Sequence, residues 1–220
     1  MVDKLNILLL CTGDNQYHDH DKIGKYLKKV LSVDSFNILL TDDLNFLLPV
    51  NIKKYDAIVF YSLALTASED KIDSLLDAIK GNILNYRNNP VGFVGIHGAT
   101  TSFQENNEYK KMIGASFISH PDFGSVYDFI IKDKDHFITK DVNDFKLQDE
   151  LYLFEIHSDF NTLIFCYYEN IERPVAWFKQ YGNGRVFYIA LGHGIDQISN
   201  SDFQKMVING IKWASFSENI

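Results

Sequence analysis

Seven histidines are spread along the chain, and three of them stand where loops leave strongly apolar runs. His97 lies in Gly95-Ile96-His97-Gly98-Ala99, His120 in Ser119-His120-Pro121, and His193 in Gly192-His193-Gly194-Ile195-Asp196. Imidazole changes charge near neutral pH and can act as a base, a metal ligand or a hydrogen-bond donor. Glycines beside it let backbone or ligand approach closely. The first loop adds His18 and His20 in Tyr17-His18-Asp19-His20-Asp21. Imidazole and carboxylate suit zinc and other first-row ions. That spacing matches no zinc motif, however, and a solvated helix-capping cluster accounts for it equally well. His136 reads as a turn residue and His157 as a strand cap.

The segment around His97 has the pattern Gly-x-nucleophile-x-Gly with one residue compressed. A strand that turns sharply into a helix needs small neighbours, and it thrusts its apex residue out at the carboxyl edge of the sheet, often under backbone strain. Open α/β sheets bind ligands at that edge. The backbone N–H groups beyond the turn, at Gly98 and Thr100, suit an anion or oxyanion. Amidotransferase and hydrolase versions of the turn carry Cys or Ser at the apex. Imidazole is a poor substitute for a thiolate in amide hydrolysis, so the turn argues for a site and against glutaminase chemistry. The bland alternative is a glycine-rich structural turn. Two acids stand near these loops: Glu150, just ahead of Leu151-Tyr152-Leu153-Phe154, and Asp196, three residues after His193, which could orient it. Both residue types are more often found on surfaces.

The elements that must position these groups follow from hydrophobic periodicity. Residues 7–11, 36–40, 56–63 and 91–96 are apolar runs that suit strands covered on both faces. Residues 19–31 and the stripe Ile72, Leu75, Leu76, Ile79 and Ile83 have helical spacing, with Ser68 as an expected cap. This alternation argues for a doubly wound sheet. The second half changes character. Residues 125–131, 152–156, 162–168, 175–180 and 185–191 read as strands, and Gly182-Asn183-Gly184 joins the last two as a hairpin. A helix over 201–216 closes the chain.

At 220 residues one domain is the default. The formal net charge is −8 with no Lys/Arg-rich run, so a nucleic-acid partner is set aside. The run at 7–11 is too short for a membrane span and no cleavage site follows it. Cys11 and Cys166 fall in apolar runs and form no disulfide framework, so the expected compartment is the cytoplasm.

These residues also carry a family resemblance. The chain resembles the ThuA-like (trehalose utilisation) proteins, a branch of the class I glutamine-amidotransferase-like fold. The matching pieces begin with Gly95-Ile96-His97-Gly98-Ala99-Thr100-Thr101-Ser102-Phe103, Met112-Ile113-Gly114-Ala115-Ser116-Phe117, His120-Pro121 and Asp149-Glu150-Leu151-Tyr152. They continue with Pro174-Val175-Ala176-Trp177, the run from Tyr181-Gly182-Asn183-Gly184-Arg185 to Leu191-Gly192-His193, and Gly210-Ile211-Lys212-Trp213-Ala214. Their order covers nearly the whole chain.

The resemblance implies one α/β domain over 1–220: a flavodoxin-like, doubly wound, mostly parallel sheet with added β-hairpins. It implies a carboxyl-edge pocket drawing on His18, His97, His120, Glu150 and His193, and a link to disaccharides and their keto forms. The leading reading is an enzyme acting on a sugar or keto-glycoside, of hydrolase, lyase or isomerase type. Catalytic roles are expected of His97, His193 and Glu150, and substrate contacts of His18, His120, Gly98, Thr100 and Trp177. A divalent ion, zinc or similar, is expected at His97, His120 and His193, where it could polarise a carbonyl or activate water. Without metal, a His–carboxylate pair could still move a proton beside a carbonyl. No nucleotide is expected. The alternative is a non-catalytic sugar- or small-molecule-binding module, in which Trp177, Phe103 and Phe123 stack on sugar rings. An active amidotransferase is excluded because Cys11 and Cys166 sit within strands. The expected partner is a small-molecule sugar, with neither nucleic acid nor membrane, and a homodimer as the commonest oligomer.

Overall fold

The computed structural model describes residues 4–13, 16–33, 35–121 and 124–217. The first half alternates as the periodicity requires. Strands β1 (Leu5–Gly13), β2 (Phe36–Thr41), β3 (Ala57–Leu63) and β4 (Gly92–Ile96) are interleaved with helices α1 (His20–Leu31), α2 (Pro49–Ile52) and α3 (Glu69–Lys80). The residues of β3 are buried from Ala57 to Ser62 and those of β4 throughout, as befits strands covered on both faces. Asp19 caps α1 by accepting from Lys22 N, and Ile23, Leu27 and Leu31 form its buried face. Ser68 holds the cap position of α3 but makes no side-chain cap bond.

The second half holds α4 (Asn107–Ile113), β5 (Ala115–Ser119), β6 (Val126–Ile131), β7 (Phe145–Gln148), β8 (Leu153–Ile156), β9 (Asn161–Tyr168), β10 (Ile171–Tyr181), β11 (Gly184–Ile189), α5 (Ile195–Ile198) and α6 (Ser201–Ala214). Nine strands form one sheet in the order β2-β1-β3-β4-β11-β10-β9-β6-β7, and β5 pairs with β8 apart from it. The four pairings from β2 to β11 are parallel. The four from β11 to β7 are antiparallel. The expectation of a mostly parallel sheet is therefore corrected to an evenly mixed one. A parallel neighbour needs a long crossover, whereas the two-residue turn at Gly182 and Asn183 returns the chain beside itself.

Sequence reasoning also missed α4, β5 and β7. Each is short, and β5 carries two serines that break its apolar pattern. The final helix ends at Ala214, two residues before Phe216, which takes a left-handed backbone at φ 57°.

The two layers of helix press on the parallel half. Gly210 of α6 lies on Phe187 of β11, and Gly184 at the head of β11 meets the Ile79 carbonyl of α3. Among the described residues no helix is long and apolar enough to cross a membrane.

The α6 contact is testable. A Cβ at position 210 would stand 2.2 Å from the Phe187 ring, inside a fully buried layer. Gly210→Ala should therefore cost about 1–3 kcal/mol by overpacking, read as a lower denaturant midpoint at unchanged slope. An unchanged midpoint would mean that α6 does not lie on β11 in this way.

Candidate functional site

Parallel pairing of β4 with β11 sets Ile96 beside Ile189, so the chain leaves both strands at one edge of the sheet. His97 follows β4 at once, and His193 lies four residues beyond β11. The turn at His97 is strained as a nucleophile elbow would be, with a positive φ of 48° on a residue that has a Cβ. It runs into a 3-10 helix over His97–Thr101, not the α-helix expected from the sequence. Three contacts hold it. The Tyr188 hydroxyl donates to His97 O at 2.6 Å, Thr100 Oγ1 is 3.0 Å from that hydroxyl, and His97 Nδ1 is 2.8 Å from Ala190 O.

These partners assign the tautomers. A carbonyl only accepts, so His97 carries a proton on Nδ1. His18 Nδ1 likewise donates to His193 O at 3.0 Å. His193 Nδ1 faces Glu150 Oε2 at 3.2 Å, which places its proton there too. The three rings pack edge to face, with centroids 5.1 Å apart for His18 and His97, 4.6 Å for His18 and His193, and 5.4 Å for His97 and His193. One ring nitrogen from each lies within 4.8 Å of the others.

Two adjacent carboxylates serve the cluster differently. Asp149 is buried and faces inward, accepting from Gly192 N at 2.7 Å, Glu150 N at 2.8 Å and His193 N at 3.3 Å. Burial pushes its carboxyl up, against the pull of His97 and those N–H groups. Glu150 faces outward. Its Oε2 is 3.4 Å from His97 Nε2 as well as near His193, and its Oε1 is 3.8 Å from His120 Nε2. Burial alone would raise Glu150, but its contacts with His193 and His97 outweigh that and hold it well below the usual carboxylate range. His193 is raised: burial lowers it, and Glu150 more than compensates. His18 is lowered to about 4, first by burial and then by His97 and His193.

A cavity of about 320 Å³ opens on this cluster. His18, His120, Glu150 and Thr101 line its polar side, and Tyr17, Phe117 and Tyr152 part of its apolar side. Ligand pockets start at about 300 Å³, so it suits a small ligand. The Tyr152 hydroxyl also lies 3.0 Å from His97 Nε2.

The structure thus brings His18, His97, His193 and Glu150 together and leaves His120 at the rim, outside the three-nitrogen cluster. His18 takes the place expected for His120 in that cluster, held there by the bond from its Nδ1 to His193 O. Gly98 is buried, and a Cβ there would lie 2.3 Å from Ser62 O, so close packing against β3 requires glycine. Thr100 is buried behind His97 on Tyr188. Trp177 is corrected to a core residue. It is wholly buried, its indole donates to Ile113 O at 2.8 Å, and Phe160 stacks on it. Phe103 is buried too, and Phe123 lies outside the described residues. Asp196 is exposed on α5, and Glu150 holds the position near His193 expected for it. His136 caps a short 3-10 turn, and His157 follows β8 with Ser116 Oγ 2.7 Å from its Nε2.

Sequence reasoning assigned no role to Asp149, Tyr61, Tyr152 or Tyr188. The signal for Tyr61 was a polar-tipped ring inside an apolar strand run, since a buried Tyr seeks a partner for its hydroxyl. Here that partner is His193 O at 3.1 Å.

An α/β sheet with a strained histidine elbow and converging imidazoles at its carboxyl edge is the class this site defines. The chain belongs to the ThuA family, described as Trehalose utilisation, whose family model matches residues 6–214. A solved ThuA-like protein of Parabacteroides merdae is 18% identical with a TM-score of 0.80, over 97% of this chain and 90% of that one. A protein of Salmonella typhimurium described as cytoplasmic is 12% identical with a TM-score of 0.65, over 96% of this chain and 99% of that one. A β-galactosidase of Bacillus circulans is 10% identical with a TM-score of 0.63, over 97% of this chain but 31% of that one. At these identities the likeness concerns the fold alone. No curated protein matches the chain.

The His18 shift makes a pH prediction. Its folded value, about 4, lies below the ordinary 6.5, so the unfolded chain binds the extra proton. Stability that His18 contributes above pH 6.5 is lost as pH falls toward 4. At pH 4.5 the loss amounts to roughly 2 kcal/mol. His18→Gln should lose less stability than the parent between pH 7 and pH 4.5 in urea melts. Parallel losses would show that His18 does not titrate in this environment.

Proposed function

We propose that this protein is an enzyme of carbohydrate metabolism that acts on a sugar or keto-glycoside at the His18, His97, His193 and Glu150 cluster. The observation that carries the reading is a cluster of three imidazoles joined by Glu150, which reaches a cavity sized for one small ring through His18 and Glu150. The trehalose-utilisation description of the family supports a sugar as the ligand. Phe117 and Tyr17 offer apolar faces for the C–H side of a ring, while His120 and Glu150 offer partners for its hydroxyls.

The donor set fits a divalent ion. Metal-ligating histidines commonly give their other N–H to a carbonyl or carboxylate, which orients the ring. His97, His18 and His193 do so toward Ala190 O, His193 O and Glu150. Those three rings would hold the ion, and a zinc-like ion would polarise a carbonyl or activate water. The protein's own groups move the protons. Glu150 accepts on the cavity side, and Tyr152 can pass a proton between a bound sugar and His97 Nε2. Elimination or isomerisation of a keto-sugar needs a proton shift of this kind.

The parallel order β2-β1-β3-β4-β11 supports a flavodoxin-like, amidotransferase-like ancestry for the scaffold. Cysteine chemistry at the elbow finds no support. The apex is His97, and burial pushes the thiols of Cys11 and Cys166 up to about 12.

His97→Ala tests the reading in untagged protein, assayed for metal by elemental analysis and for turnover on keto-glycosides. The parent should hold about one divalent ion per chain. The variant should still fold, with a lower melting temperature because Ala190 O and the Tyr152 hydroxyl lose a buried partner, and it should lose turnover or metal. Lost stability with unchanged activity would make His97 structural. Metal-free parent with full turnover would remove the ion, and tight sugar binding without turnover would leave a binding module.

A further inference from the structure

We infer that two copies of this chain pair through β2, at one edge of the sheet, antiparallel about a two-fold axis at Leu39. The sheet then runs unbroken from one protomer into the other.

The main sheet ends in β2 on one side and β7 on the other. An edge strand presents a row of N–H and C=O groups to any chain that can pair with it. Proteins blunt such edges with short strands, lysine or a covering group. β7 has these devices. It is four residues long, carries the exposed Lys146, and gives its Gln148 carbonyl to the Gln197 amide at 2.7 Å. β2 has none of them. It reads Phe36-Asn37-Ile38-Leu39-Leu40-Thr41, six residues without charge or proline, and Leu39 is 38% exposed.

The parity of the backbone decides which groups β2 presents. Leu5 N donates to Ser35 O at 2.8 Å, and the parallel register sets Leu5 beside Phe36. The bonds from β1 therefore reach β2 at Ser35, Asn37, Leu39 and Thr41. Phe36, Ile38 and Leu40 turn their N–H and C=O groups the other way. Phe36 N already donates to Val33 O at 3.1 Å. Ile38 and Leu40 face the edge with both groups, and among the described residues no strand meets them there.

An antiparallel pair about Leu39 uses these groups. It sets Ile38 opposite the partner's Leu40 in the hydrogen-bonded position, once on each side of the axis. Leu39 then meets the partner's Leu39 in the non-hydrogen-bonded position, where side chains lie closest, and its exposed face becomes buried. Charge selects the same arrangement. Asp42 and Asp43 follow β2 and are exposed, while Lys28 and Lys29 stand exposed on the last turn of α1, which leads into its other end. An antiparallel pair brings the acidic end of each strand to the basic end of its partner, whereas a parallel pair sets acid beside acid. The two-fold also closes. Both outer edges of the joined sheet are the blunted β7, so assembly stops at two chains.

Cysteine crosslinking and sedimentation of the full chain test this. Leu39→Cys should form a disulfide-linked dimer under mild oxidation, because the Cα atoms of that pair stand about 4.5 Å apart, within the disulfide range. Asn37→Cys should stay uncrosslinked, since position 37 would lie opposite the partner's Thr41 and roughly 13 Å from its own copy. Cys11 and Cys166 are buried and contribute no crosslink. The parent should sediment at twice its chain mass. Leu39→Lys, which sets two like charges on the axis, should weaken dimerisation at least about tenfold. If that variant fails to fold, the two cysteine variants decide the matter. A monomeric parent, a dimer undisturbed by Leu39→Lys, or no crosslink in Leu39→Cys would overturn the β2 interface. Crosslinking in Asn37→Cys as complete as in Leu39→Cys would overturn the axis at Leu39.

Discussion

The hydrogen bond from His97 Nδ1 to Ala190 O is the contact on which the site depends. It joins the end of β4 to the end of β11, and only their parallel pairing makes it possible. It fixes the His97 tautomer, and with Tyr188 it holds a left-handed residue at the apex. Without that bond the ring could turn, and its Nε2 would no longer face Glu150 and Tyr152. A backbone under strain persists only where its surroundings over-determine it. Here they do so from both sides, through a main-chain carbonyl and a buried phenol.

The Asp149-Glu150 pair divides two tasks between neighbouring residues. Asp149 spends its acceptor capacity on backbone N–H groups, which locks the His193 loop against the segment ahead of β8. A buried carboxylate is tolerable because it is so thoroughly hydrogen-bonded. Glu150 turns the other way and links the buried His97 and half-buried His193 to His120 on the cavity side. The negative charge there favours protonation of His193, while burial and the other rings keep His18 neutral. Imidazoles of unlike character therefore sit within one cluster, as acid–base or metal chemistry requires.

Much of this was legible in the sequence wherever the cause is local. The four apolar runs of the first half became β1 to β4, and residues 19–31 became α1 with one residue trimmed to serve as cap. The Gly-Asn turn gave its hairpin. The elbow at His97 was legible because glycine and alanine spacing reports a tight turn, and the left-handed φ matches that reading. Less was legible where the cause is a partner far along the chain. Trp177 looked like a sugar platform, and only the packing of Phe160, Phe154 and Tyr188 around it shows a core residue. Gly98 looked like a ligand contact, and only the Ser62 carbonyl explains the glycine.

The sequence by itself determined the longer strands and helices, the histidine elbow and the family, because periodicity, turn chemistry and motif order are properties of short stretches. Tertiary structure alone decided which groups meet. It chose His18 over His120 for the cluster, gave Asp149 its place beneath the His193 loop, and made half of the sheet antiparallel. Each of these choices depends on contacts between residues that are far apart in the chain, such as the 175 positions from His18 to His193. No local pattern encodes such a distance. Burial of the parallel half of the sheet under its helices selects it.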